Sequence, residues 1–351
     1  MSTHRFRRSR TALRLLAAFF VAAGLGAADP SAVAALEKLT VERLADPALS
    51  ASVPTGLAWH RDGKRLTYLR PSGEERDLYA FDIREEEEAL LVRGSALDLP
   101  GGKGRLHPLN SATWMPDDRH LLVPADGDIY LVDVETGTVR PLVKTEATED
   151  FPTPSPDGKR VAFVRDNDLY VVDLKSGRET RLTSTGSETL LNGRLDWVYE
   201  EELGNRTGKA FAWAPNSRAI AYLQLDQSGV PTFPIVDFLP VWNEVEWQRY
   251  PKAGSPNSVV KLGVVGIEKN GSVGPERVVS VGAADDYIAP QIGWTPKSRN
   301  VVFQQMGRAQ NELRLRLLPV PGQPREPLGE PRTVITERSD TFVNLLLPPR
   351  F

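Results

Sequence analysis

Residues 196–202 read Asp-Trp-Val-Tyr-Glu-Glu-Glu, so three consecutive carboxylates stand beside two aromatic rings. This composition favours a site that holds a cation over a packed core, because carboxylates are rarely buried unless they are paired. Asp196 is predicted to cap a short helix over residues 197–203 by accepting from a backbone N–H two or three residues later, and Gly204 to end it. On such a helix Glu201 and Glu202 point about 100° apart. Carboxylates at that angle can still converge on one ammonium, whose three N–H donors suit several oxygens.

The charge pattern alone favours a different interpretation, a solvated acidic helix in which Arg206 pairs with Glu202 four residues earlier. A bound cation, in contrast, would relieve the repulsion between neighbouring carboxylates. Trp197 and Tyr199 are predicted to support the helix by packing against the sheet below it rather than to contact a ligand. The residues themselves leave both interpretations of the glutamates open.

A recurring pattern predicts the elements that position this run. An aromatic residue or Pro is followed by a turn with a basic residue and then by an apolar β run, in WHRDGKRLTYL, WMPDDRHLLV, PSPDGKRVAFV, WAPNSRAIAYL and WTPKSRNVVF. Asp-Gly and Asn-Ser supply the positive φ angles that tight hairpins need. Partner strands with period-two alternation follow in RDLYAFDI, GDIYLVDV and NDLYVVDL.

The spacing of these repeats predicts an all-β fold, a β-propeller of four-stranded blades. Turn residues Asp62, Asp117 and Asp157 are separated by about 55 and 40 residues, which is typical of propeller blades. The longer intervals to Asn216 and Lys297 hold two insertions, one with the acidic run at residues 192–208 and one with an aromatic-rich stretch at 233–250. We expect about five blades.

The segments AFAWAPNSRAIAYLQLDQSGVPTFPIVDF and RYPKAGSPNSVVKLGVV continue the acidic run. Together with it they resemble the N-terminal propeller of bacterial members of the dipeptidyl peptidase IV family, which are prolyl oligopeptidase-like serine peptidases. The resemblance spans roughly residues 40–344. It implies an eight-bladed propeller followed by a hydrolase domain, release of N-terminal dipeptides, and no cofactor. It also implies that Glu201 and Glu202 grip the free α-ammonium of a peptide.

A peptidase of that family needs a Ser on a G-x-S-x-G elbow, followed by an Asp and a His. No such elbow occurs here, and all four histidines precede the acidic run. We therefore identify no catalytic residue, expect the chain alone to be inactive, and count the hydrolase domain as a missing partner. The organisation predicted is a signal peptide at 1–28, a partial propeller at 29–344 and an aberrant tail at 345–351 of a truncated chain. The alternative is a non-catalytic propeller that binds peptide N-termini or protein partners.

Two further segments contain residue types that could take part in chemistry. Trp242, Trp247 and Tyr250 fall in an insertion that resembles the region near the substrate pocket and the subunit contacts of the family, where homodimers form. The alternative is that they only cover the rim of the propeller. The run of four glutamates at 85–88 lies between two predicted strands and is interpreted as a solvated hairpin loop.

Composition and charge exclude several classes of function. The formal net charge of −3 provides no basic field for nucleic acid. The histidines lack metal-ligand spacing, no phosphate-binding glycine loop occurs, and the chain has no cysteine for a thiolate site. Four arginines precede an apolar run at 13–25 and small residues at 26–28, which predicts export to the periplasm or beyond, with an uncleaved membrane anchor as the alternative.

Overall fold

The structure is a computed structural model that describes residues 40–44, 53–101, 107–203, 207–268, 270–289 and 291–345. The chain divides into two units, residues 1–52 and 53–351. In the first unit, helix α1 (Val41–Leu44) begins after Thr40, whose Oγ1 accepts a hydrogen bond from the N–H of Arg43 (3.2 Å). The predicted signal peptide at 1–28 and residues 346–351 of the predicted tail lie outside the described residues.

The described residues of the second unit form six antiparallel sheets, five of which we number as blades 1 to 5 in chain order. Blades 1 to 3 each have four strands in sequential order. Blade 1 contains β1 (Thr55–Trp59), β2 (Arg65–Ser72), β3 (Glu75–Asp82) and β4 (Glu87–Val92), and blade 2 contains β5 (Thr113–Trp114), β6 (His120–Ala125), β7 (Asp128–Asp133) and β8 (Val139–Val143). Blade 3 contains β9 (Asp150–Pro154), β10 (Arg160–Arg165), β11 (Asp168–Asp173) and β12 (Glu179–Arg181). Two 3₁₀ turns, Gly94–Ala96 and Pro108–Ser111, lie between blades 1 and 2.

Blades 4 and 5 have first strands that are each split into two pieces. Blade 4 contains β13 (Leu190–Asn192), β14 (Phe211–Trp213), β15 (Ala219–Asp226), β18 (Val259–Gly266) and β19 (Arg277–Ser280). Blade 5 contains β20 (Tyr287–Ile288), β21 (Gly293–Trp294), β22 (Asn300–Met306), β23 (Glu312–Pro319) and β24 (Arg332–Arg338). Strands β13 and β14 both pair with β15, so residues 193–210 form an insertion within one strand position. Between β15 and β18 a two-stranded hairpin, the arm, is formed by β16 (Thr232–Asp237) and β17 (Glu244–Arg249).

The turn between the first two strand positions of each blade has the conformation that the sequence predicts. The second turn residue has a positive φ in all five blades, with values from 55° to 68° at Gly63, Asp118, Gly158, Ser217 and Ser298. In four blades an Asp or Asn precedes it, and its side-chain oxygen accepts from the backbone N–H two residues later at 2.8–3.1 Å. These local bonds help to close the hairpins. In blades 3 and 4 the serine hydroxyl of the next blade's turn also accepts from the backbone N–H of Asp157 or Asn216.

Alternating side chains hold neighbouring blades together. On β10, Val161 and Phe163 pack against blade 2, while Ala162 and Val164 pack against blade 4. Each neighbouring pair of blades shares a hydrophobic cluster of this kind. Full burial of one such aliphatic or aromatic side chain contributes roughly 1.5–3 kcal/mol, so we infer that packing between blades is the main stabilising interaction.

The predicted all-β fold of four-stranded propeller blades is confirmed, and five blades are present in the described part of the chain. The prediction for the glutamates at 85–88 is partly wrong. Glu87 and Glu88 belong to β4, and Glu88 accepts a hydrogen bond from Arg70 (2.6 Å) and another from Tyr68. A cross-strand cation compensates for the low strand propensity of glutamate.

Candidate functional site

Asp196 caps the helical segment that carries the acidic run, as the sequence predicts. Its Oδ1 accepts a hydrogen bond from the backbone N–H of Tyr199 at 2.9 Å, and its Oδ2 accepts one from the hydroxyl of Ser258. Burial raises the pKa of the Asp196 carboxyl, and the two hydrogen bonds oppose that rise. The start of the segment is thereby tied to the residue that precedes β18.

The helical segment widens along its length. Residues 197 and 198 are α-helical, whereas Tyr199–Leu203 form a π-helical turn, a rare geometry often found at functional sites. Tyr199 is buried between blades 4 and 5, with its ring centroid 6.1 Å from that of Tyr287. The side-chain amide of Gln291 donates a hydrogen bond to the carbonyl of Leu203 (3.2 Å). We call Tyr199–Leu203 the glutamate turn; contacts with blade 5 fix its position.

The three glutamates of this turn differ in exposure. Glu201 and Glu202 are exposed, whereas Glu200 is half-buried with its Oε2 close to Gly208. The last two carboxylates of the run are therefore presented to solvent from a fixed backbone. Gly204 and Arg206, for which a helix end and an ion pair with Glu202 are predicted, lie outside the described residues.

Aromatic side chains connect the helical residues that precede the glutamate turn to the arm. The ring of Trp197 lies 4.5 Å from that of Tyr250, and Tyr250 lies 6.0 Å from Phe233 on β16. The ammonium of Lys252 lies 4.6 Å from the centroid of Phe233. In contrast, Trp242 is 85% exposed on the arm, which argues against the interpretation that it covers the rim of the propeller.

Two cations that sequence reasoning missed lie at the base of the insertion. Arg194 and Lys209 are opposite each other in an isolated β-bridge, and Arg194 pairs with Asp150 of blade 3 at 2.8 Å. Burial lowers the pKa of the Lys209 ammonium. Only closure of the insertion brings these two positions together, so nothing in their spacing along the chain could have indicated the pairing.

Blade 3 fits closely against the same base. Phe151 has a φ of 59°, a strained conformation for a large residue, and its ring would collide with a side chain at position 208. The Phe151 ring therefore leaves room only for glycine at position 208. Positive-φ aromatic residues carry no sequence signature, so this contact too was missed.

No arginine lies in the turn between β6 and β7 of blade 2. The turn contains only Asp126 and Gly127, both with positive φ. The resemblance described above also implies an arginine on a loop of the second blade that holds the substrate carbonyl, and this turn supplies no residue for that role.

The histidines of the described residues lie in blades 1 and 2 or in the connection between them, and each contacts a carboxylate. His60 lies 3.0 Å from Asp62, His107 lies 2.6 Å from Glu75, and His120 pairs with a neighbouring Asp. The described part of the chain contains no cluster of three or more potential metal ligands. It also contains no helix with the length and hydropathy needed to span a bilayer.

Comparison with known proteins identifies the class. The family model described as "Dipeptidyl peptidase IV (DPP IV) N-terminal region" matches residues 110–351. The chain belongs to the dipeptidyl peptidase IV family. It is 32% identical over 302 residues to a "Probable dipeptidyl-aminopeptidase B" of Talaromyces marneffei, an alignment that covers 77% of this chain and 32% of the relative. An equally named protein of Aspergillus oryzae is 36% identical over 134 residues, which cover 34% of this chain and 14% of that protein.

Solved structures support the fold. The "Crystal structure of Porphyromonas gingivalis dipeptidyl peptidase 4" superposes with a TM-score of 0.71 at 23% identity, covering 87% of this chain and 43% of that one. A "putative dipeptidyl aminopeptidase IV from Bacteroides ovatus" superposes with a TM-score of 0.57 at 22% identity, covering 86% and 40%. This chain thus spans less than half the length of these relatives.

Proposed function

We propose that this chain is the substrate-gating and N-terminus-anchoring propeller of a dipeptidyl peptidase IV-like serine exopeptidase. In this proposal Glu201 and Glu202 bind the α-ammonium of a peptide. The hydrolase domain releases the N-terminal dipeptide, and the propeller alone is inactive. From the export signal predicted at residues 1–28 we propose that this role is performed in the periplasm or outside the cell.

One observation carries the proposal: two exposed carboxylates project from a turn whose backbone is held at both ends. Asp196 fixes its start, and Tyr199 and Gln291 fix it to blade 5. Little conformational entropy is then lost when a cation binds, which favours affinity. A fixed anchor for the amino terminus also sets how many residues reach a nucleophile beyond it, as an exopeptidase requires.

The alternative is a non-catalytic module that recognises peptide N-termini or protein partners with the same glutamates. Family membership favours the peptidase. The DNA downstream of codon 351 distinguishes them. A reading frame that encodes the elbow and a later His supports the peptidase, and a stop codon followed by an unrelated gene supports the module.

The pH dependence of peptide binding tests the anchor. A peptide α-amine has a pKa of about 7.7–8.0, so its charge is present at pH 6.5 and lost by pH 9.5. We expect the affinity for a free-amine peptide to fall about tenfold between these pH values, the loss of roughly one charge-assisted interaction.

The N-acetylated form of the same peptide serves as the control and should bind with the same weak affinity at both pH values. Fluorescence anisotropy of peptides labelled at the C-terminus measures both. If the affinities of the two peptides change alike with pH, the glutamates do not anchor the ammonium, and the interpretation as a solvated acidic helix holds.

We propose that the arm mediates homodimer contacts. Five large apolar side chains on it are at least 66% exposed, namely Phe238, Leu239, Val241, Trp242 and Trp247. Exposed apolar patches of this kind mark interaction surfaces. An isolated two-stranded hairpin is marginally stable by itself, and two copies related by a two-fold axis can cover each other's apolar faces.

Sedimentation velocity over a range of concentrations tests this interface. Trp242→Ser combined with Leu239→Ser is expected to weaken association at least tenfold, because two large apolar side chains no longer become buried. The control is Trp59→Ser on blade 1, where the native side chain is 62% exposed. An unchanged distribution in the double variant, or an equal change in the control, would contradict the proposal.

A further inference from the structure

A polar cleft of about 250 Å³ lies between blades 3 and 4, and none of its lining residues belongs to the glutamate turn. Its walls are the hairpin that joins β11 to β12 and the connection between β18 and β19. Two buried residues, Val171 and Ile267, contribute to its lining and to the cluster between the blades. Arg160, Arg178, Ser176 and Asn270 supply polar groups to the same cleft.

Strand register explains why these groups share one face of blade 3. Arg160 is opposite Asp173, and Val171 is opposite both Ala162 and Thr180. Because side chains alternate between the two faces of a strand, Arg160, Val171, Asp173 and Thr180 all point toward blade 4. Blade packing therefore places an arginine at the edge of a hydrophobic interface.

The guanidinium of Arg160 has one ionic partner among the described residues, Asp173, and the two groups are not in hydrogen-bonding contact. Its side chain is only 13% exposed, and its Nε lies 4.0 Å from Oδ2 of Asp173, beyond hydrogen-bonding distance. The N–H and hydroxyl of Ser176 instead donate to Oδ1 of Asp173, at 2.9 Å each. These bonds hold the pKa of Asp173 low, so the carboxylate stays charged. Arg178 adds a second, exposed guanidinium, which leaves a net positive charge on these three side chains.

The size and chemistry of the cleft limit what it can hold. Its volume is below the roughly 300–1,000 Å³ of pockets for drug-sized ligands. A polar cleft of this size holds a few waters or one small ion. Two guanidiniums with hydroxyl and amide groups are suited to the oxygens of a tetrahedral anion, to which arginine donates paired hydrogen bonds.

We propose that this cleft is a binding site for a small free oxyanion, phosphate or sulfate, held by Arg160 and Arg178. The anion completes the hydrogen bonding of Arg160 and neutralises the excess positive charge between the two blades. Bound there, it links blade 3 to the β18–β19 connection of blade 4, so it also stabilises their interface. This site is independent of the glutamate turn and of peptide binding.

Line broadening of inorganic phosphate in ³¹P NMR, measured with the full chain at constant ionic strength in chloride, tests the proposal. We expect saturable broadening that sulfate reverses. Arg160→Gln is expected to weaken phosphate binding about tenfold or more, since it removes a charge-assisted donor pair. Arg178→Gln, at an exposed position that tolerates substitution, should weaken it several-fold, and Arg160→Lys should fall between native and Gln.

The control is Arg332→Gln at an exposed position on β24, which should bind phosphate as the native chain does. Glycerol phosphate, of similar charge but larger, should displace phosphate less well than sulfate does. The proposal fails if broadening does not saturate, if Arg160→Gln and Arg178→Gln both bind normally, or if the control loses binding to the same extent. Displacement by glycerol phosphate equal to that by sulfate would overturn the assignment to a free ion.

Discussion

Gly263→Ala is expected to destabilise the propeller by about 3 kcal/mol, the upper part of the usual range for overpacking a core. Gly263 lies opposite Tyr222 across the β15–β18 pair, and a Cβ at position 263 would lie 2.3–2.7 Å from three atoms of the tyrosine ring. Tyr222 is fully buried between blades 3 and 4, and its hydroxyl donates to Glu276 (3.1 Å). The ring therefore has no room to move, and either the sheet or the interface between the blades must shift.

Gly293→Ala is the matched control. Gly293 also lies in a strand, opposite Val302, but a Cβ there would meet nothing within 4 Å. Removing a glycine from an unstrained position stabilises a protein by roughly 0.4–1 kcal/mol, so the two substitutions should have opposite signs. Denaturation by urea, followed by tyrosine and tryptophan fluorescence, measures both. Equal effects would show that the packing of Tyr222 over Gly263 is not what fixes this part of the interface.

Much of the fold could be predicted because its determinants are local. An Asp or Asn before the positive-φ residue forms its turn with its own side chain, as Asp62 and Asn216 do. At Lys297 no such oxygen exists, yet the turn forms with Ser298 at φ 55°, and Thr295 accepts from the N–H of Asn300 instead. At this turn the prediction therefore depended on the repeat pattern, because the side chain of Lys297 cannot accept the hydrogen bond that an Asp or Asn accepts in the other blades.

The site was predictable in part. The cap by Asp196 depends on the identity of one residue and was confirmed. Three features depend on how the insertion closes against blades 3 and 5. They are the π-helical turn, the backbone β-bridge between Arg194 and Lys209, and the left-handed backbone conformation of Phe151. Such contacts join positions far apart in the chain, and spacing carries no information about them. The membership of Glu88 in a strand was missed for the same reason, since its partner Arg70 lies on another strand.

Glu201→Gln combined with Glu202→Gln is expected to remove the preference for a free peptide amine. The native chain should bind a free-amine peptide at least tenfold more tightly than the acetylated form, since a charge-assisted hydrogen bond contributes roughly 1.5–3 kcal/mol. Both glutamates are exposed, so water screens the pair, and the absolute affinity should be weak, about millimolar. Glutamine keeps the shape and removes the charge that the ammonium pairs with.

The control for this variant is Glu244→Gln with Glu246→Gln, two exposed glutamates on the arm. These substitutions change the net charge of the chain by the same amount and leave the glutamate turn intact. The control should therefore keep the full preference for the free amine. A loss of preference there would indicate a general electrostatic effect rather than a site.

The most direct measurement is isothermal titration calorimetry of the free-amine peptide and its acetylated form against the native chain, the double variant and the arm control. The proposal predicts at least a tenfold ratio of affinities for the native chain and the arm control, and a ratio near one for the Glu201→Gln, Glu202→Gln variant. Equal binding of both peptides to the native chain, or a preference that persists in that variant, would show that these glutamates are a solvated surface and not the anchor of a peptide N-terminus.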